Sequence, residues 1–174
     1  METLSIPEGL DFIPSPPGGT IRKVWRSWQL LPLAFFACLW DSFLVRFYRQ
    51  ILSQPHPNPV LVLFPTIHLA VGVGLSYFVF ASLFNKTDIL ISPDGLRVAT
   101  GPMPWIGNVS IARSEIRAVK VRERVSSKGR VSRAIVYVDP SGKEKSFGSS
   151  AYQSDQAEYI CRVIRPTLGL RADQ

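Results

Sequence analysis

Two stretches of the chain are apolar along their whole length and on every side. Residues 28–48 (WQLLPLAFFACLWDSFLVRFY) hold one acid and one late arginine, and residues 60–84 (VLVLFPTIHLAVGVGLSYFVFASLF) hold no formal charge. At a rise of about 1.5 Å per residue, each is long enough as a helix to cross a hydrocarbon core of about 30 Å. Residues 49–59 (RQILSQPHPNP) carry Pro55, Pro57, Asn58 and Pro59, which break a helix and turn the chain. The pattern predicts a transmembrane helical hairpin over 28–84.

Elsewhere the pattern has the two-residue period of strands. Residues 87–92 (TDILIS) and 96–100 (LRVAT) flank Pro93-Asp94-Gly95, a hairpin signal. Residues 101–107 (GPMPWIG) must be a loop, and 108–112 (NVSIA) a short strand. In 116–125 (IRAVKVRERV) the apolar face changes sides along the run, which predicts a bulge or a twist. Residues 126–130 read as a polar tip, 131–138 (VSRAIVYV) as a strand, 139–142 (DPSG) as a turn and 143–147 (KEKSF) as the last strand. A helix follows, with Ser154 as N-cap, Asp155 and Glu158 near its positive end, and Ala157, Ile160, Cys161, Ile164 and Leu168 on one face. Before the first span, 10–13 and 20–25 are β-prone runs around a Pro-Gly cluster, a possible hairpin in an otherwise irregular arm. The expected fold is a membrane α-helical hairpin plus an α+β part. That part is a small antiparallel barrel or sandwich of about six strands, closed by a C-terminal helix. The boundaries read 1–27 for the arm, 28–84 for the hairpin, 85–170 for the sheet domain and 171–174 for a tail.

Composition refines this only slightly. In 174 residues, 46% hydrophobic content averages a long apolar segment with a polar remainder large enough for one small domain. Both apolar runs are too long for a signal-peptide core, so both helices are expected in the mature protein. Cys38 and Cys161 fall in different layers, so no disulfide or metal framework follows. Charge bears on orientation. Arg22, Lys23 and Arg26 precede the first span beside Trp25 and Trp28, Arg46 and Arg49 lie at the turn, and the other fifteen of the twenty Lys and Arg follow Phe84. The excess on the side shared by the two termini predicts an integral protein of the inner (cytoplasmic) membrane with both termini cytoplasmic.

Candidate chemistry is concentrated in few places. An ionisable group at membrane depth needs a partner, and hairpin geometry brings Asp41 and His68 to matching depth, about 10 and 12 Å from the turn. An Asp41–His68 pair locking the helices is the expected arrangement. It is supported by a small-residue stripe, Ala34, Cys38 and Ser42, which could face Ala70 and Gly74, or Gly72 and Ser76. His68 could instead be an axial ligand to a chlorophyll-type tetrapyrrole, or Asp41 and His68 could form part of a proton relay; no other cofactor is indicated. With histidine only at 56 and 68, the soluble part has no His-based triad, zinc site or general base, and no glycine run has the spacing of a phosphate loop, so no enzyme is expected. A basic stripe, Lys120, Arg122, Arg124, Lys128, Arg130 and Arg133, flanks one hairpin tip. It reads as a solvated edge, a docking face for an acidic partner, or a site for anionic lipid headgroups. Nucleic acid is disfavoured, because no aromatics interleave with the stripe. Trp105, in the loop 101–108, is a candidate exposed contact or membrane-surface anchor, the alternative being a role plugging the core.

The segments PDGLRV, GPMPWIGN, IRAVKVRERVS and DPSGKEKSF, with PEGL near the start and LWDSFL and HLAVGVGL within the helices, resemble bacterial membrane proteins that carry a two-helix hairpin and a pleckstrin-homology-like (PH-like) domain. The layout is also similar to that of the photosystem I assembly factor of plastids and cyanobacteria. The resemblance implies a PH-like barrel and a non-enzymatic scaffold, accessory subunit or assembly factor of a larger, photosynthetic or respiratory, membrane complex. The competing readings are a stand-alone sensor of anionic lipid and a pigment-binding accessory subunit.

Overall fold

A computed structural model of the chain describes residues 5–125, 131–147 and 152–170. Residues Met1–Val24 and Lys86–Gln174 form one compact unit and Trp25–Asn85 another.

The first unit contains two antiparallel sheets. Strands β1 (Leu10–Ser15), β2 (Gly18–Val24), β3 (Lys86–Ser92), β4 (Gly95–Gly101) and β5 (Val109–Ala112) make a five-stranded meander. Strands β6 (Ala118–Val125), β7 (Val131–Val138) and β8 (Glu144–Ser146) make a three-stranded one. The two N-terminal runs are therefore not a separate arm. They form a hairpin, and its second strand pairs with β3 from Gly19↔Ile91 to Val24↔Lys86. The domain expected at 85–170 thus begins before the first long helix and resumes after the second. Arg22, counted by sequence as a membrane flank, sits inside β2 and forms a two-bonded ion pair with Asp88 directly opposite on β3 (2.7 and 2.9 Å).

Alternation decides which side chains go inward. Ile89 and Ile91 of β3, Leu96 and Val98 of β4, and Ile111 of β5 are fully buried, as are Val119 of β6 and Ile135 of β7. They share one core with Ala157, Ile160, Cys161 and Ile164 of the C-terminal helix. Burying one such aliphatic side chain contributes roughly 1.5–3 kcal/mol, so this core is the main source of the unit's stability. No closed barrel forms among the described residues; two sheets and one helix enclose the core.

The expected irregularity near 116–125 lies at the start of β6. Arg117 N–H donates to the Val138 carbonyl, although Ala118 is the register partner of Val138, so two residues face one as in a bulge. Next to it, Ala118 and Val119 are both buried, and the apolar face changes sides between them. The C-terminal helix spans Ser154–Thr167, with Gln153 rather than Ser154 as N-cap; Gln153 N–H donates to Gln156 Oε1 (3.3 Å). Pro166 lies in its last turn.

The second unit consists of α1 (Leu30–Leu52), α2 (Pro59–Leu63) and α3 (Thr66–Phe84); the C-terminal helix is α4 in chain order. The expected second span is interrupted at Phe64-Pro65, because Pro65 has no N–H to continue the helical ladder. Counted through this break, the two helices are long and apolar enough to cross a membrane. Only 11% and 22% of their most apolar windows are buried, which separates them from core helices of a soluble fold.

Candidate functional site

The candidate site lies along the seam of the hairpin, where an ionisable side chain meets the facing helix. Leu30, Ala37, Leu44 and Ile51 of α1 are buried at seven-residue spacing, with Asp41 half-buried among them. On α3 the facing position is Gly72. A Cβ there would lie 2.6 Å from Asp41 Oδ1 and 3.2 Å from side-chain atoms of Leu44 and Trp40. Glycine therefore makes the space that the Asp41 carboxylate occupies. Ser76, one turn further along α3, donates its hydroxyl to Asp41 Oδ2 (2.5 Å).

Asp41 and His68 do not pair. The Asp41 carboxylate is engaged by Ser76, while the His68 ring stacks on Trp40, with centroids 5.8 Å apart, and lies near Phe64. Side-chain direction explains this. Each helical side chain leans towards the N-terminus of its own helix, so in an antiparallel pair the two sets lean opposite ways. Asp41 leans away from the turn and His68 towards it, whereas Ser76 starts further out and leans back onto Asp41. Trp40 completes the seam by donating Nε1–H to the His68 carbonyl (3.2 Å).

The small-residue stripe also needs correction. Cys38 and Ser42 are exposed and Ala34 is only half-buried, so the face of α1 that meets α3 is rotated by one position, onto Ala37, Asp41 and Leu44. Of the two α3 alternatives, Gly72 and Ser76 face α1. Ala70 is exposed, and a Cβ on Gly74 would meet nothing within 4 Å.

Beside this seam runs an open groove of about 880 Å³. Leu44, Val45, Leu52, Leu69 and Val73 form its apolar walls; Asp41 and Ser76 line one part, Arg49 and Ser53 another. Tyr48, also in the lining, donates its hydroxyl to the Val62 carbonyl (3.3 Å). Sequence reasoning missed Ser76 as the Asp41 partner and Arg49 as a groove residue. The available signal was the i, i+4 spacing of Gly72 and Ser76, which pairs a vacancy with a donor.

Among the described residues, two members of the basic stripe, Arg122 and Arg133, are matched by acids. Arg133 bonds Glu123, its cross-strand partner, at 2.8 Å and Glu158 of α4 at 3.1 Å, clamping β6, β7 and the helix. Arg122 pairs with Glu144 at 3.1 Å, and Lys120 is exposed on the same strand. Arg124 occupies the register position opposite Ser132, while Lys128 and Arg130 lie outside the described residues. Cross-strand charge pairing is the signal that could have found the Glu123–Arg133 contact.

Loop 101–108 leaves β4 at Gly101 and is held at its far end by Asn108, whose Oδ1 accepts the Thr100 N–H (2.7 Å). Trp105 is half-buried, and its neighbour Ile106 is 87% exposed. The outermost apolar side chain is thus Ile106 rather than the tryptophan that the sequence singled out.

No protein-family model matches the chain, and no curated protein does.

Proposed function

We propose that this chain is an integral protein of the inner membrane, with both termini cytoplasmic, and a non-enzymatic scaffold, accessory subunit or assembly factor of a larger membrane complex. The observation that carries the reading is the half-buried Asp41 in the wall of an open apolar groove, held by one serine. A carboxylate at that depth is costly unless it is covered and hydrogen-bonded. A partner helix with a donor at this level would cover the groove and complete its hydrogen bonding. The pairing of β2 with β3 supports the topology, since strands in one sheet must lie on one side of a membrane and two crossings return the chain there. Two antiparallel sheets around one core with a C-terminal helix support a PH-like domain, and the charge bias supports a cytoplasmic placement for it.

Extraction in a gentle detergent followed by native size separation tests the reading. Comigration with a large complex is expected, and Asp41→Ala should release the chain from it while leaving the sheet unit folded. A native chain that runs only as a small species of one or two copies would overturn it.

A further inference from the structure

The register places the loop 101–108 beside the points where the chain leaves and rejoins the sheet. Val24, the last residue of β2, pairs with Lys86, the first of β3, and Lys86 pairs with Gly101, the last of β4. Helix α3 ends at Phe84, two residues before Lys86. Covalent geometry therefore limits the distances. Lys86 lies within about 7–8 Å of Phe84 along the chain, and Gly101 about 5 Å from Lys86 across the ladder. The interfacial layer on each side of a bilayer is about 5–7 Å thick. The root of the loop is thus within about 13 Å of the end of α3, so orientations of the sheet that turn the loop towards the bilayer bring it into that layer.

The composition of the loop fits the same layer. Residues 102–107 (PMPWIG) have no charged side chain, and Pro102 and Pro104 have no N–H to withdraw from water. Trp105 is the residue type enriched at the membrane–water boundary. Ile106 is the most exposed large apolar side chain of the described residues. Arg26 and Lys86, both exposed, are the basic residues nearest the two chain crossings. At that level a cation gains about 1 kcal/mol from an anionic surface. By contrast, the turns Pro16-Pro17 and Pro93-Asp94 lie at the other end of the same strands. With seven residues in β3 at about 3.3 Å each, that is roughly 20 Å away.

We infer that the loop 101–108 is a third membrane contact of this chain, with Ile106 and Trp105 seated in the interfacial layer and Arg26 and Lys86 among anionic headgroups. The inference rests on the spanning reading of the hairpin. It makes the sheet unit a body held to the bilayer at three places rather than two.

The test uses the full chain, with Cys38→Ser, in lipid discs of mixed phosphatidylcholine and phosphatidylglycerol. Single nitroxide labels are placed through Ile106→Cys, Asp94→Cys or Val73→Cys. All three positions are exposed, so folding is not at stake. Collision rates with oxygen, which partitions into lipid, are compared with those of a water-soluble nickel chelate. The oxygen-to-nickel ratio at 106 is expected to be several-fold higher than at 94 and to approach that at 73. A lipid-like value at 73 with a water-like value at 106 overturns the loop contact alone, as does a label at 106 shielded from both reagents by protein. A water-like value at 73 overturns the spanning reading, and the loop contact with it.

Discussion

The two units of this chain use apolar side chains in opposite ways. In the sheet unit Ile89, Ile111, Ile160 and Ile164 have almost no accessible surface. In the hairpin Phe35, Phe64 and Ile67 are 67%, 73% and 75% exposed. The hydrophobic effect therefore holds the sheet unit together from within, but it cannot hold two helices together when their surroundings are as apolar as they are. What joins α1 to α3 is close packing at Gly72, the Ser76–Asp41 hydrogen bond and the Trp40 contacts. One unit should consequently respond to loss of buried volume and the other to gain of volume at a seam.

The largest effect is expected from Phe147→Ala. Phe147 is the largest fully buried side chain of the sheet unit. Removing it costs the transfer free energy plus a cavity, about 3–5 kcal/mol. Amide exchange in β7 and α4 should accelerate accordingly, with exchange in α1 and α3 unchanged. Equal acceleration in both units would show that their stabilities are not separate. A smaller effect is expected from Gly72→Val. The added atoms meet the Asp41 carboxylate and must push it off Ser76, at a cost of about 1–3 kcal/mol for overpacking. Gly74→Val, whose Cβ meets nothing within 4 Å, is the control and should be silent. Cross-linking between cysteines placed on facing turns of α1 and α3 reads the seam directly. Equal effects at 72 and 74 would rule out the assigned face.

The same contrast explains which features were legible in the sequence. Strands of the sheet unit carry one apolar and one polar face, and so does α4, so Ala157, Ile160, Cys161, Ile164 and Leu168 could be placed inward from spacing alone, and the structure buries them. The membrane-length helices are apolar all round. Their composition marks them as spans but contains no information about which side meets the other helix. That is why Cys38 and Ser42 were expected in a seam they do not line. For Asp41 and His68 only depth along the helix was weighed, and side-chain lean, which depends on chain direction, was left out. The pairing of β2 with β3 was hidden for a different reason: sixty-one residues, Trp25–Asn85, separate the two strands, and local pattern does not show contacts across such an insertion.

The smallest effect is expected in the sheet unit only. In the turn between β7 and β8, Asp139 accepts the Ser141 hydroxyl (2.5 Å), the Lys145 ammonium (3.0 Å) and the Lys143 backbone N–H (3.0 Å). These donors, the Ser141 hydroxyl first, hold its carboxyl well below the usual carboxylate range. A carboxyl whose folded pKa lies below its unfolded value, about 3.9, contributes stability that is present above that value. That stability is lost as the pH falls towards the folded pKa. Asp139→Asn should therefore lower the melting temperature of the sheet unit at pH 7, and the difference from the native chain should shrink as the pH falls below about 4. The hairpin seam, followed by the same α1–α3 cross-link, should not respond to this substitution at any pH. Melting curves of native and variant chains that stay equally far apart from pH 7 to pH 2 would show that the ionised carboxylate contributes nothing to the turn.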